Sequence, residues 1–100
     1  MAAYRIKIYP TAQQDFTDII DYLNTLSPDA ALRYYDLLTE KIAALSQMPE
    51  RCPRPRNLAL AAKGDRYLAV NSYLVFYIVK EDTVQIRRIL YNRRNYADLL

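Results

Sequence analysis

The stretch Tyr73-Leu74-Val75-Phe76-Tyr77-Ile78-Val79 decides how this chain folds. It carries no charge, is rich in aromatic and β-branched residues, and is apolar on both of its alternating faces. That pattern predicts a central strand covered on at least one side. Turn-forming residues bound it, Asn71-Ser72 before and Lys80-Glu81-Asp82 after. Working outward, Arg66–Val70 reads as a short strand and Thr83–Tyr91 as a last one, so three strands follow one another through tight turns.

The first half of the chain has other periods. Residues 4–9 alternate, with Tyr4, Ile6 and Ile8 on one face and Arg5, Lys7 and Tyr9 on the other, which predicts a half-buried strand ended by Pro10. Phe16, Ile19, Ile20 and Leu23 then fall at helical spacing, predicting a helix over 11–25. Thr11 and Gln14 are placed as the two ends of a capping box, and Asp15 lies where it would favour the helix dipole. After Leu26, Ser27 is a second candidate cap and Pro28 fits a first helical position. Ala31, Tyr35, Leu38, Ile42 and Leu45 step by helical turns and predict a core stripe on a helix over 28–47. Tyr22 and Tyr34 lie off these stripes and are candidate partner contacts. So short a link makes the helices an antiparallel hairpin. The fold class is therefore α+β in the order β-α-α-β-β-β, with the hairpin packed on a mostly antiparallel four-stranded sheet, and residues 1–100 are expected to form one domain.

Between the halves, Pro49, Pro53 and Pro55 alternate with Arg51, Arg54 and Arg56, predicting an extended loop that carries three guanidinium groups over Met48–Asn57. Leu58–Ala62 reads as a helical turn or a strand. Composition narrows the function. There is no histidine, one glycine and one cysteine, which argues against a histidine base, a good zinc ligand set or a glycine-rich phosphate loop. No cofactor or metal is expected. Cys52 reads as a small surface or half-buried side chain. No apolar run approaches a membrane span and the N-terminus enters the first strand directly, so the expected location is the cytoplasm.

Charge is segregated. Residues 1–50 carry 4 Lys/Arg against 7 Asp/Glu, and residues 51–100 carry 10 against 4. One basic face suits a polyanion or an acidic partner. In the last strand strict alternation puts Val84, Ile86, Arg88 and Leu90 on one face and Gln85, Arg87, Ile89 and Tyr91 on the other. Arg88 would then lie at the core edge and need a carboxylate or backbone partner, while Arg87 and Tyr91 face the open side. With Arg66, Arg51, Arg54 and Arg56, they are the candidate target-binding residues, because arginine binds phosphate in a bidentate manner and tyrosine stacks on unpaired bases. The same mixture suits a protein interface.

The run Asp65–Val79 followed by Val84-Gln85-Ile86-Arg87-Arg88-Ile89-Leu90-Tyr91-Asn92-Arg93-Arg94-Asn95-Tyr96, with the strand–helix–helix–three-strand order, resembles the RelE/ParE toxins of type II toxin–antitoxin modules. The resemblance covers nearly the whole chain. It implies a growth-arresting toxin neutralised by a cognate antitoxin in a hetero-oligomer. Its target is either messenger RNA on the ribosome, cut without metal, or DNA gyrase, inhibited without catalysis. The alternative is a degenerate member that only binds antitoxin or nucleic acid. For the nuclease branch, the resemblance puts Arg94 or Arg93 at the position of the basic residue after the last strand, and Tyr96 near that of a C-terminal catalytic aromatic. Some nucleases carry an arginine in the third strand, where this chain has Leu74, and others use a C-terminal histidine or a lysine pair, where only Lys63 lies nearby. Both mechanisms stay open on the sequence.

Overall fold

The computed structural model describes residues 3–55 and 64–92. The elements run β1 (Arg5–Ile8), α1 (Pro10–Leu26), α2 (Pro28–Ala43), two single 3₁₀ turns (Ala44–Ser46 and Pro49–Arg51), β2 (Asp65–Val70), β3 (Tyr73–Lys80) and β4 (Thr83–Tyr91). Strand order is β1-β4-β3-β2. The β2–β3 and β3–β4 pairs are antiparallel, and β1 lies parallel to β4, as a helical crossover between them permits. Two helices on a four-stranded sheet is the α+β arrangement expected.

α1 begins one residue before the expected start. Pro10 has the fixed φ that a first helical position wants, and Tyr9 in extended conformation precedes it as the N-cap without a side-chain capping bond. Thr11 therefore lies inside the helix, and the anticipated capping box does not form. Gln14 Nε2 instead donates to Asp18 Oδ1 at 2.8 Å. Ser27 behaves as anticipated: its Oγ accepts from the Ala30 N–H at 3.3 Å, with Pro28 behind it. Asn71 takes a φ of 54°, a conformation its short side chain tolerates, and this closes the β2–β3 turn.

The main core lies between the hairpin and the sheet, where Ala12, Leu38, Ile42 and Leu45 meet Val70, Val75, Tyr77, Val84, Ile86 and Ile89. Each fully buried aliphatic side chain there contributes about 1.5–3 kcal/mol. A smaller cluster of Leu74, Phe76 and Leu90, flanked by Tyr67, lies on the other sheet face. β3 is thus buried on both faces, as its composition predicts. Two helix positions differ from expectation. Tyr35 is 49% exposed with its edge toward Phe16, at 5.3 Å between centroids. Tyr34 takes the inward place against Tyr73, at 5.6 Å, because aromatic residues of β3 and β4 lie beneath that flank of α2. The proline-rich segment is also less extended than expected, since Pro49–Arg51 coils into a 3₁₀ turn.

One irregularity governs the sheet. Phe76 lies opposite Arg88 but Tyr77 lies opposite Ile86, so Arg87 is an extra residue, a β-bulge. The bulge resets the alternation of β4. Ile86 and Ile89, three apart, both enter the main core, while Leu90 enters the opposite cluster.

Candidate functional site: a cation-bearing sheet face and a tyrosine-lined edge

Cross-strand partners share a face, so β1 paired in register with β4 sets Lys7 beside Gln85 on the sheet face away from the helices. Tyr9 O–H donates to Gln85 Oε1 at 2.9 Å, and Lys7 Nζ lies 5.9 Å from the centre of the Tyr9 ring. Arg87 Nη1 donates to Asp65 Oδ1 and Oδ2 at 3.0 and 3.1 Å. The Asp65 side chain is fully buried and that of Arg87 is 22% exposed. Arg5 pairs with Asp82 at 3.2 Å at the rim, and hydrogen bonds from Arg5 and Thr83 hold the Asp82 carboxyl below its ordinary range. That exposed pair is screened by water and salt. The face thus combines Lys7, Tyr9, Gln85 and an Arg87 whose charge Asp65 largely balances. It is equipped to hold a partner's polar and anionic groups.

Two of the other anticipated arginines, Arg66 and Arg51, have structural duties. Arg66 Nη1 donates to the carbonyls of Cys52 (2.8 Å) and Glu50 (3.1 Å), and its Nη2 lies 3.9 Å from the Glu50 carboxylate. Arg51 Nη1 donates to the carbonyls of Gln47 and Met48. Both guanidiniums thereby fasten the Gln47–Cys52 segment. Tyr77 O–H donates to the Pro49 carbonyl beneath it, and burial, with Cys52 as a close neighbour, pushes the phenol well above its ordinary pKa. Cys52 is buried rather than half-exposed. Arg54 is exposed. Arg56, Arg93, Arg94 and Tyr96 lie outside the described residues.

Tyr91 requires a correction. Alternation placed it on the open side with Arg87, but the bulge turns it to the helix side, where its ring meets Tyr73 edge-on at 5.6 Å. Burial and the nearby phenols of Tyr34, Tyr91 and Tyr22 raise the pKa of Tyr73. Arg88 has the carboxylate its position demands: Asp15 of α1 accepts Arg88 Nε at 2.7 Å and Nη2 at 2.9 Å, and also the Ile89 N–H at 3.0 Å. Arg88 is held above its already high pKa by this bond.

Lys7, Tyr9, Gln85, Asp65 and Asp15 are not among the candidate site residues to which the sequence points. The alternation of β1 marked Lys7 and Tyr9 as outward, but only the β1–β4 pairing brings them to Gln85. Among the described residues no group of His, Cys, Asp or Glu could hold a metal ion, and no helix is long and apolar enough to cross a membrane.

Comparison with known proteins places this geometry. A family model described as the ParE toxin of the type II toxin–antitoxin system parDE matches residues 6–96. Among solved structures, the chromosomal ParDE toxin–antitoxin system from P. aeruginosa superposes with a TM-score of 0.76 at 25% identity, covering 89% of this chain and 96% of that one. The toxin–antitoxin complex RelBE2 from Mycobacterium tuberculosis gives a TM-score of 0.58 at 23% identity, covering 91% and 93%, a likeness of fold. A search of curated proteins finds no match. With the family model matching all but the ends of the chain, this protein belongs to the ParE toxin family of type II toxin–antitoxin systems.

Proposed function

We propose that this chain arrests growth by binding DNA gyrase in the ParE manner, and that a cognate antitoxin neutralises it. The match to the ParE model over residues 6–96 carries this reading. The described arginines agree with it, while the nuclease candidates Arg93, Arg94 and Tyr96 lie outside the described residues. Arg87 and Arg88 are held by carboxylates and Arg66 by carbonyls, so their charge is already committed to the fold. A guanidinium spent in this way stabilises a developing phosphorane less than a preorganised, uncommitted one does. A binding surface asks less of it. The antitoxin expectation follows from the solved relatives, both described as toxin–antitoxin systems or complexes.

The test is a gyrase supercoiling assay with the purified protein, run beside ribosomes translating a defined message. Inhibited supercoiling with intact message is expected, and co-expression of a cognate antitoxin should restore growth. Unaffected gyrase together with A-site-cleaved message, suppressed by Arg94→Ala, would instead assign the chain to the nuclease branch. Harmless expression and no effect in either assay would leave only a degenerate binder.

A further inference from the structure

β1 accompanies β4 only from Thr83 to Ile86, so the second half of the outer edge of β4 faces α1 rather than a described strand. The Ile89 N–H on that edge is taken by Asp15. Because backbone groups alternate along a strand, the N–H and C=O of Tyr91 project to the same outer side, while Asn92 N–H turns inward to the Ser72 carbonyl at 2.8 Å. Between this edge and α1 lies a cleft of about 550 Å³ whose walls include Ile19, Tyr22, Tyr73 and Tyr91, with Asp15 and Asp18 on the α1 side. Tyr22 is 62% exposed and Tyr91 39%, so two phenol rings are open to an occupant.

Charge identifies the occupant. α1 carries Asp15, Asp18 and Asp21 and neither lysine nor arginine. Arg88 balances Asp15, whereas Asp18 has only the Gln14 amide and no cation among the described residues. We infer that the cleft between α1 and the outer edge of β4 seats an arginine of an extended basic segment from a partner protein. The guanidinium lies flat on a tyrosine face and donates in pairs to Asp18, while the segment's backbone meets the open edge of β4. Lysine offers a point charge without the planar fork, and an acidic or phosphorylated segment is repelled by Asp18. The inference deepens the reading of a partner-bound toxin and rests on it. Its test involves neither growth nor gyrase, so the two fail separately.

The probe is a blocked pentapeptide of alternating valine and arginine, titrated into the ¹⁵N-labelled full chain and followed by NMR. Matched peptides carry citrulline, which keeps the shape without the charge, or glutamate. Saturable shifts are expected at Ile19, Ile89 and Tyr91, with the citrulline peptide about tenfold weaker and the glutamate peptide silent. Asp18→Asn should weaken the arginine peptide by about the same factor and leave the citrulline peptide unchanged. Equal binding of arginine and citrulline, shifts confined to other surfaces, or indifference to Asp18→Asn would overturn the inference. So would binding that appears only after Arg93→Gln and Arg94→Gln, since the chain's own tail would then be the occupant.

Discussion

Replacing Asp15 by alanine should destabilise this protein more than most single changes on α1. One carboxylate accepts the Arg88 Nε and Nη2 donors and the Ile89 N–H, joining the first helix to the last strand. Removing one partner of a fully buried pair costs about 3–5 kcal/mol, because the remaining charge loses its buried counter-ion. Here the side chains retain 13% and 20% of their exposure, and screening reduces the loss to about 3 kcal/mol. In a chain of 100 residues each kcal/mol moves Tm by at least about 4 °C, so Asp15→Ala should lower Tm by about 12 °C or more. Thermal and urea melts followed by circular dichroism read this directly. Asp15→Ala combined with Arg88→Met should be less destabilised than the sum of the singles, with a coupling of about 2 kcal/mol. A coupling under about 0.5 kcal/mol would refute the idea that this pair ties α1 to β4.

Arg87→Ala strands the fully buried Asp65 carboxylate and should cost about 3–5 kcal/mol, so any loss of toxicity in that variant should accompany a lowered melting temperature. Arg87→Lys, which keeps the charge, should melt closer to the parent. Tyr77 gives a pH effect: its folded pKa is raised, so its contribution is complete below the unfolded tyrosine value near about 10 and is lost as pH rises beyond it. Urea midpoints should therefore fall between pH 9 and 11, less so in Tyr77→Phe, which should itself lose about 1–2 kcal/mol at neutral pH. Glu81 occupies a φ of 57°, so Glu81→Gly should raise stability by about 0.5–1 kcal/mol in the same urea assay.

Element order and type were legible because each period has a direct physical cause. Strict alternation in residues 4–9 and helical steps from Ala31 to Leu45 reflect which face meets the core. Ser27-Pro28 marks a helix start by satisfying or removing N–H groups that have no partner. Pairing was less legible. Nothing local in Arg5–Ile8 says that its neighbour is β4, a strand reached only after the helical hairpin and two further strands. The site inherits that difficulty. A charged Arg88 on one face with apolar Ile86 and Leu90 announced the need for a carboxylate or backbone partner, but Asp15, 73 positions earlier, is identified only by the packing of α1.

The bulge at Arg87 explains why strict alternation misplaces the residues after it and also why the strand can serve both sheet faces. A regular strand carrying Val84 and Ile86 inward would have put Arg88 into the core and Ile89 on the opposite face. One extra residue shifts the remainder by one position, so Ile89 and Tyr91 turn toward the helices, while Leu90 joins Phe76 and Leu74. Arg87 then reaches Asp65 on β2, and Arg88 reaches Asp15 on α1. Two consecutive arginines thus secure opposite sides of the molecule. The apolar spacing 84, 86, 89 was visible in the sequence, yet a spacing of two then three reads as a bulge only once the facing residues of β3 are known. That phase shift is what separates the Lys7, Tyr9 and Arg87 face from the Tyr73 and Tyr91 cleft, and it gives one strand two chemically distinct surfaces.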